Sequence, residues 1–221
     1  MLVSAKVGGK TCMRAYTPTS SDHEAGIFDL VVKVYFPSAQ HPEGGRMSQH
    51  LGSMRVGEAI DVRGPLGHVT YLGRGSLRLD KATHAVKNFC MLCGGTGITP
   101  IYQVLRAVLR DADDATTCYL LFANRTERDI LLRGELDELR RAHPGRLHLR
   151  HILSQPDDAA AWAGAGEVGR LSQSTVAAFL PRGGSGSGNF ALLCGPEGFL
   201  SEACAPALRA HGYPDSDLVY F

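Results

Sequence analysis

Four short stretches carry residue types that could do chemistry. The first is Cys93-Gly94-Gly95-Thr96-Gly97-Ile98-Thr99-Pro100, three glycines and two threonines directly after an apolar run. Glycine lets a backbone turn sharply and approach a phosphate closely. A helix starting there would offer free N–H groups and a positive dipole end to a pyrophosphate. The pattern is not the G-x-G-x-x-G fingerprint, so phosphate binding and a plain tight turn both stay open. The second is Arg14-Ala15-Tyr16-Thr17-Pro18-Thr19-Ser20. Its arginine offers a fork for phosphate oxygens and Tyr16 a face for a planar ring; a polar edge strand is the bland alternative. Gly44-Gly45-Arg46-Met47-Ser48 reads as a second candidate helix-start anion site. Cys194-Gly195-Pro196 closes the last expected parallel strand. Ligands of open α/β sheets sit outside the carboxyl ends of strands. Cys93 and Cys194 should therefore both point to one crevice, unless Cys194 is simply a core thiol.

Two kinds of element must position these residues. The first third is rich in β-branched and aromatic residues. Ile27–Phe36, Ala59–Arg63 and His68–Leu72 read as strands punctuated by Gly and Pro, as in a small antiparallel barrel or sandwich. Gly44 to Leu51 reads as a glycine loop opening one or two turns of helix. Beyond about residue 86 the rhythm becomes strand, helix, strand. Strands are expected at Phe89–Cys93, Cys118–Ala123, Leu147–Leu153 and Phe190–Cys194. Helices are expected at Ile98–Arg110, Leu131–Arg141, Ser172–Phe179 and from Pro196 to Ala210. Such alternation argues for a parallel sheet with helices on both faces. The boundary between the two parts is expected within Gly73 to Lys87, and 182–188 as a flexible surface loop.

Composition narrows the classes. The 221 residues carry a formal net charge of +1 and 44% hydrophobic residues, which suits a globular protein and argues against nucleic acid or a membrane surface as main partner. No stretch has the length and apolarity of a membrane-spanning helix, and 1–10 lacks the features of a signal or transit peptide. A soluble, cytoplasmic protein is the expectation. Cys90-Met-Leu-Cys93 lies inside an apolar run without a second pair at zinc spacing, so free thiols on a buried strand are expected and no metal. His41, His50, His68, His84, His143, His148 and His151 read as solvated or strand histidines, none at i,i+4 ligand spacing.

Taken in order, Arg14-x-Tyr-Thr, Lys33-Val-Tyr-Phe36, Gly44-Gly-x-Met-Ser, Gly64-Pro-x-Gly67, Gly94-Gly-Thr-Gly-Ile-Thr-Pro100 and Cys194-Gly-Pro196 resemble the cytochrome b5 reductase family. That family lies within the ferredoxin reductase-like class. The resemblance runs from about Gly9 to Phe221. Cys12–Ser20 and Gly64–Gly75 are closer to its nitrate reductase branch, as in plants and algae. It implies an antiparallel FAD-binding barrel over 1–80, followed by a doubly wound, parallel-sheet NAD(P)H-binding domain over 86–221. By the same resemblance Arg14, with Ala15, would meet the flavin pyrophosphate, Tyr16 would face the isoalloxazine and Thr17 would bond near flavin N5. Val31, Val32, Lys33, Val34, Tyr35 and Phe36 would edge the flavin, and Arg46, Met47 and Ser48 would hold its phosphates. Gly94, Gly95, Thr96, Gly97 and Thr99, with Cys194, Gly195 and Pro196, would receive NADH, Thr17 and Cys194 being the two closest to the chemistry. NADPH use stays open, since Arg125 and Arg128 are offset by Glu127 and Asp129.

Departures from the family pattern shape the remaining expectations. Relatives begin with further barrel strands before Arg-x-Tyr-Thr, whereas only about a dozen residues precede it here. A C-terminal fragment with an N-terminally truncated barrel is therefore expected, with an exposed sheet edge weakening the FAD site. Haem and molybdenum cofactor would belong to missing upstream domains. The b5-type haem domain would be the partner in cis, and any homodimer would form through those domains. Glu197-Gly198-Phe199 replaces a run that relatives often continue with prolines and Met. A free-standing NADH-cytochrome b5 reductase is one alternative. A non-catalytic, truncated nucleotide-binding module is another.

Overall fold

A computed structural model describes residues 1–21, 23–39 and 41–221. The chain divides into two compact units, Met1–Gly67 and His68–Phe221.

The first unit is built on β1 (Leu2–Val7), β2 (Lys10–Ala15), helix α1 (Arg46–Ser53) and β3 (Asp61–Arg63). β1 pairs antiparallel with both others, giving the order β2-β1-β3. Val3, Cys12 and Met47 are buried together, with Tyr16, Leu30, Leu51 and Ile60 packed around them. The expected strand Ile27–Phe36 is not one: no ladder pairs it. β propensity reflects fit to neighbouring strands, and here the backbone groups go elsewhere. Tyr35 donates its N–H to Ser48 Oγ at 3.1 Å and accepts from Gly45 N–H at 2.8 Å.

The second unit opens with an antiparallel meander, β4 (Val69–Gly73), β5 (Ser76–Leu79) and β6 (Ala82–Ala85). Residues 73–87, expected as a connecting stretch, thus carry two strands. Then come β7 (Asn88–Gly94), α2 (Ile98–Arg110), β8 (Thr117–Asn124), α3 (Arg133–Ala142), β9 (Leu147–Leu153), α4 (Ala159–Trp162), β10 (Glu167–Val168), α5 (Gln173–Phe179), β11 (Asn189–Cys194), α6 (Ala205–Ala210) and β12 (Leu218–Tyr220). The six long-range strands form one parallel sheet in the order β10-β9-β8-β7-β11-β12. β7 is wholly buried from Phe89 to Gly94. That explains its unbroken apolar run, because a parallel strand is covered on both faces. Its pleat sends Phe89, Met91 and Cys93 into one core cluster and Cys90 and Leu92 into the other. α2 places Ile101, Val104, Leu105 and Val108 in the first cluster, each fully buried aliphatic contributing ~1.5–3 kcal/mol. Ser172 caps α5, its Oγ accepting from Thr175 N–H at 3.1 Å. The expected helix to Ala210 arrives in two parts, a π-helical turn over Phe199–Cys204 leading into α6.

One core residue makes the unit acid-sensitive. His151 on β9 is 7% exposed, and neither ring nitrogen has a hydrogen-bond partner. It lies among Phe122 and Trp162, and burial holds its pKa down at about 4. The folded state therefore keeps the neutral ring while the unfolded chain takes a proton near pH 6.5. The stabilisation is complete above pH 6.5 and falls away as pH drops toward 4. Between pH 7 and 5 the loss from this residue is about 2 kcal/mol. Urea midpoints should converge less steeply with acid in His151→Leu; an unchanged pH slope would remove this role.

Candidate functional site

Chain order reverses in the large sheet between β7 and β11. From β7 the strands run outward through β8 and β9 to β10, then β11 returns to the other side of β7. The carboxyl ends of β7 and β11 thus flank a topological switch point, where open α/β sheets bind their ligands. At that end Cys93 and Cys194 are register partners on neighbouring parallel strands. Beyond Cys93, Gly95–Gly97 form one 3-10 turn and α2 starts at Ile98 with no side-chain cap. Ile98 N–H already bonds to Gly95 O and Thr96 O, and Pro100 has no N–H, so this helix start offers an incoming anion chiefly its positive dipole end. Thr99 is buried and its Oγ1 donates to Thr96 O at 3.3 Å; Thr96 and Gly95 are half-buried.

The two loops touch. A Cβ placed on Gly97 would lie 2.2 Å from Cys194 O and 2.8 Å from Gly195 N, whereas one on Gly95 would meet nothing within 4 Å. Gly97 is glycine because backbone passes against backbone. Gly95 takes φ +53° and faces open space, the side from which a diphosphate can approach. Phe199 completes the crevice wall, its ring 3.2 Å from the Cβ position of Gly94 and 3.1 Å from that of Gly195. Its role was not read from the sequence; an aromatic three residues beyond Cys-Gly-Pro was the available signal. Beside this turn lies a cavity of about 410 Å³ lined by Gly195, Glu197, Leu200, Ser201, Arg209 and Tyr220 among others. Cys194 is half-buried, and burial pushes its thiol up to about 11. Such a thiol packs and shapes a pocket at neutral pH; it is a weak nucleophile.

At the end of β8, Asn124 is buried with neither amide atom partnered. The loop beyond it holds opposed charges. Glu127 pairs with Arg133 at 3.3 Å, Arg128 approaches Asp157 at 3.9 Å and Arg125 donates to Gln155 at 3.1 Å.

In the first unit the named residues gather around α1 and the end of β2. Tyr16 interacts electrostatically with Arg14 and Tyr35, and burial raises its hydroxyl pKa. Arg14 is exposed and gives one N–H to Met13 O at 2.7 Å. Arg46 gives one to Val7 O, also at 2.7 Å. Both guanidiniums keep further donors. α1 starts at Arg46 with no side-chain cap, so its N-terminal N–H groups add to this cationic set. Two residues behave differently from their expected part. Met47 is 2% exposed and belongs to the core. Ser48 Oγ is engaged internally, accepting from Tyr35 N–H and donating to Gly45 O at 2.9 Å. Either could reach a phosphate only through its backbone. Ala15 and Lys33 to Phe36 frame this region, with Lys33 Nζ 5.9 Å from the Tyr35 ring centre; Thr17, Val31 and Val32 are half-buried.

The donor chemistry fits the two nucleotide cofactors that the resemblance implies. In the first unit two guanidiniums, an uncapped helix start and a half-buried tyrosine suit a diphosphate joined to a flat ring. In the second, a glycine cradle and an uncapped helix start at a switch point suit a second diphosphate. Among the described residues no cluster of three or more His, Cys, Asp or Glu could hold a metal, and no helix is long and apolar enough to cross a membrane.

Comparisons with known proteins agree with this layout. Residues 1–71 match the oxidoreductase FAD-binding domain and residues 91–205 the oxidoreductase NAD-binding domain. A nitrate reductase [NAD(P)H] of Hordeum vulgare is 43% identical across 99% of this chain, which spans 25% of that protein. An NADH-cytochrome b5 reductase 2 of Danio rerio is 42% identical across 98% of the chain, which spans 71% of it. The crystal structure of the cytochrome b5 reductase domain of Ulva prolifera nitrate reductase superimposes with a TM-score of 0.93 at 38% identity, covering all of this chain and 82% of that one. The chain thus spans about a quarter of the length of the nitrate reductases it matches.

Proposed function

Because the chain belongs to the cytochrome b5 reductase family of FAD- and NAD-binding oxidoreductases, we propose that it passes electrons from NADH through FAD to a b5-type haem. In this reading it is the reductase part of an assimilatory, cytoplasmic nitrate reductase, with the haem domain in the same polypeptide. The observation that carries the reading is the paired carboxyl ends of β7 and β11, where the glycine turn and the Cys194 turn meet at the switch point.

Bound FAD supplies a ring that accepts a hydride from NADH and gives up its electrons singly; the protein supplies orientation and electrostatics. Arg14 and Arg46, with the α1 N-terminus, hold the flavin diphosphate. Tyr16 would lie along the ring, Thr17 would offer its hydroxyl near the reactive edge, and residues 31–36 would border it. Met47 and Ser48 contribute main chain. Gly95 and the α2 N-terminus receive the NADH diphosphate, Thr96 and Thr99 stand beside it, and Cys194, Gly195 and Pro196 shape the nicotinamide pocket. No side chain here needs to move a proton, which matches a thiol held in its neutral form at Cys194. The balanced charges over 125–133 favour NADH, and NADPH is accepted only in so far as Arg125 and Arg128 outweigh Glu127 and Asp129.

The test is a visible spectrum of the chain with FAD, repeated anaerobically after NADH. A bound-flavin spectrum bleached by NADH is expected; flavin that stays oxidised would end the hydride-transfer reading. Cys194→Ser should slow the bleaching while leaving FAD content unchanged. An unchanged rate would remove Cys194 from the pocket.

A further inference from the structure

The C-x-x-C spacing of Cys90 and Cys93 does not make a pair. The pleat of β7 sends the two thiols to opposite faces, and Tyr213 Oη donates to Cys90 Sγ at 2.9 Å on the far side. What the fold does bring together is Cys93 and Cys194. They are register partners on adjacent parallel strands, on the same face and against the same core cluster. We propose that Cys93 and Cys194 form a two-coordinate site for a soft d10 cation, copper(I) being the member of that class available in cells.

Spacing and redox chemistry together separate the reactions open to two such thiols. Neighbouring strands lie ~4.8 Å apart, and side chains leaving register-paired positions on one face run side by side. Two metal–sulfur bonds of ~2.3 Å placed end to end span ~4.6 Å, so a linear S–Cu–S bridge fits with the strands where they are. A disulfide also fits positions this far apart, since it accepts Cα atoms ~4.4–6.8 Å apart, but forming one removes two electrons and needs an oxidant. Zinc would need four ligands. Among the described residues no group of three or more His, Cys, Asp or Glu could hold a metal ion.

Burial slows oxidation of this pair and makes coordination depend on pH. Burial raises both thiols, Cys93 the more strongly, and a protonated thiol reacts slowly with peroxides. A coordinating metal removes the proton outright, and thiolates are the ligands that soft cations select. Binding is Cu⁺ + 2 RSH → [Cu(SR)₂]⁻ + 2 H⁺, with no change of oxidation state. Cys194 is half-buried and admits the ion; Cys93 is fully buried behind it. Cys204 is the other thiol coupled to Cys93; it packs against the opposite core cluster.

The experiment is an anaerobic titration of the FAD-loaded chain with copper(I) against a coloured copper(I) chelator, from pH 6 to 8. One tight equivalent per chain is expected, with apparent affinity rising about 100-fold per pH unit because two protons leave. In Cys93→Ala the affinity should fall at least about 100-fold and the slope drop to about tenfold per unit. Cys90→Ala and Cys204→Ala should bind as the parent does. A tenfold slope in the parent chain, undiminished binding in Cys93→Ala, or loss in Cys204→Ala would each overturn the two-thiol site. The parent slope needs no variant to fold. The site stands on the thiol pair alone, so failure of NADH to bleach the flavin would overturn the reductase reading and leave this titration unaffected.

Discussion

Gly97→Ala will lose NADH-driven flavin reduction by about 100-fold while keeping its FAD. The new methyl would sit 2.2 Å from Cys194 O and 2.5 Å from its carbonyl carbon. Both are backbone atoms of the neighbouring turn, so no side chain can swing aside. One of the two loops must withdraw. Overpacking of this kind costs about 1–3 kcal/mol, and a displacement of ~1 Å at a reacting centre costs about 100-fold in rate. FAD content should hold, because the residues assigned to FAD belong to the other unit. Gly95→Ala separates collision from strain. Its φ of +53° disfavours alanine, yet nothing lies within 4 Å of the added methyl. That variant should lose about 1–2 kcal/mol of stability; its methyl stands on the side from which the diphosphate approaches, so the NADH concentration needed for half-maximal bleaching should rise while the rate at saturating NADH stays within a few-fold of the parent. Stopped-flow bleaching of the flavin reads both. A Gly97→Ala rate within a few-fold of the parent would mean that the contact between the turns does not govern the nicotinamide pocket.

Arg146→Ala is expected to lower stability by about 2–4 kcal/mol without touching either nucleotide site. The Arg146 guanidinium donates to Asp114 O at 2.7 Å, Asp111 O at 2.9 Å, Leu109 O at 3.0 Å and Val108 O at 3.4 Å. It thereby closes the carboxyl end of α2, whose last carbonyls have no partner within the helix, and fixes the turn into β8. Hydrogen bonds from a charged donor contribute about 1.5–3 kcal/mol each before overlap is counted. The same turn holds a second anchor. Asp114 is 1% exposed and accepts from Tyr71 Oη at 2.5 Å and from Arg74 N–H at 2.9 Å, tying the β4–β5 hairpin to it. Tyr71 is pushed up to about 12 by burial and by this carboxylate. Arg146→Lys keeps the charge and loses the fork, so most of the stability should still be lost. Urea unfolding at pH 7 measures it; a midpoint within experimental scatter of the parent would show that solvent replaces the guanidinium without cost.

The sheet strands were legible because their signal is local. Phe89–Cys93, Cys118–Ala123, Leu147–Leu153 and Phe190–Cys194 are apolar runs of strand length bounded by turn residues, and the ladder extends each by two residues at most. α2 was legible from its apolar spacing and from Pro100 in its first turn. The family was legible through the order of its motifs along the chain; composition alone left each motif with a bland alternative. β1 was not legible, since Leu2–Val7 mixes polar and apolar residues and becomes a strand by pairing on both sides. Ile27–Phe36 failed in the opposite sense, with strong propensity and no ladder. β5 and β6 were hidden behind Gly73 and Gly75 and a charged sequence that resembled a connection.

Local chemistry thus marked four of the six strands of the large sheet, β7, β8, β9 and β11, together with α2, α3 and α5, but not β10 or β12. Periodicity, capping and turn chemistry act over a few residues and need no distant partner. Long-range packing placed Cys93 beside Cys194 rather than Cys90. It alone turned Met47 and Ser48 inward, left His151 and Asn124 buried without partners and set Arg146 against four carbonyls. Each of these depends on which strand lies next to which, and that is fixed by the burial of whole faces across a hundred residues of chain.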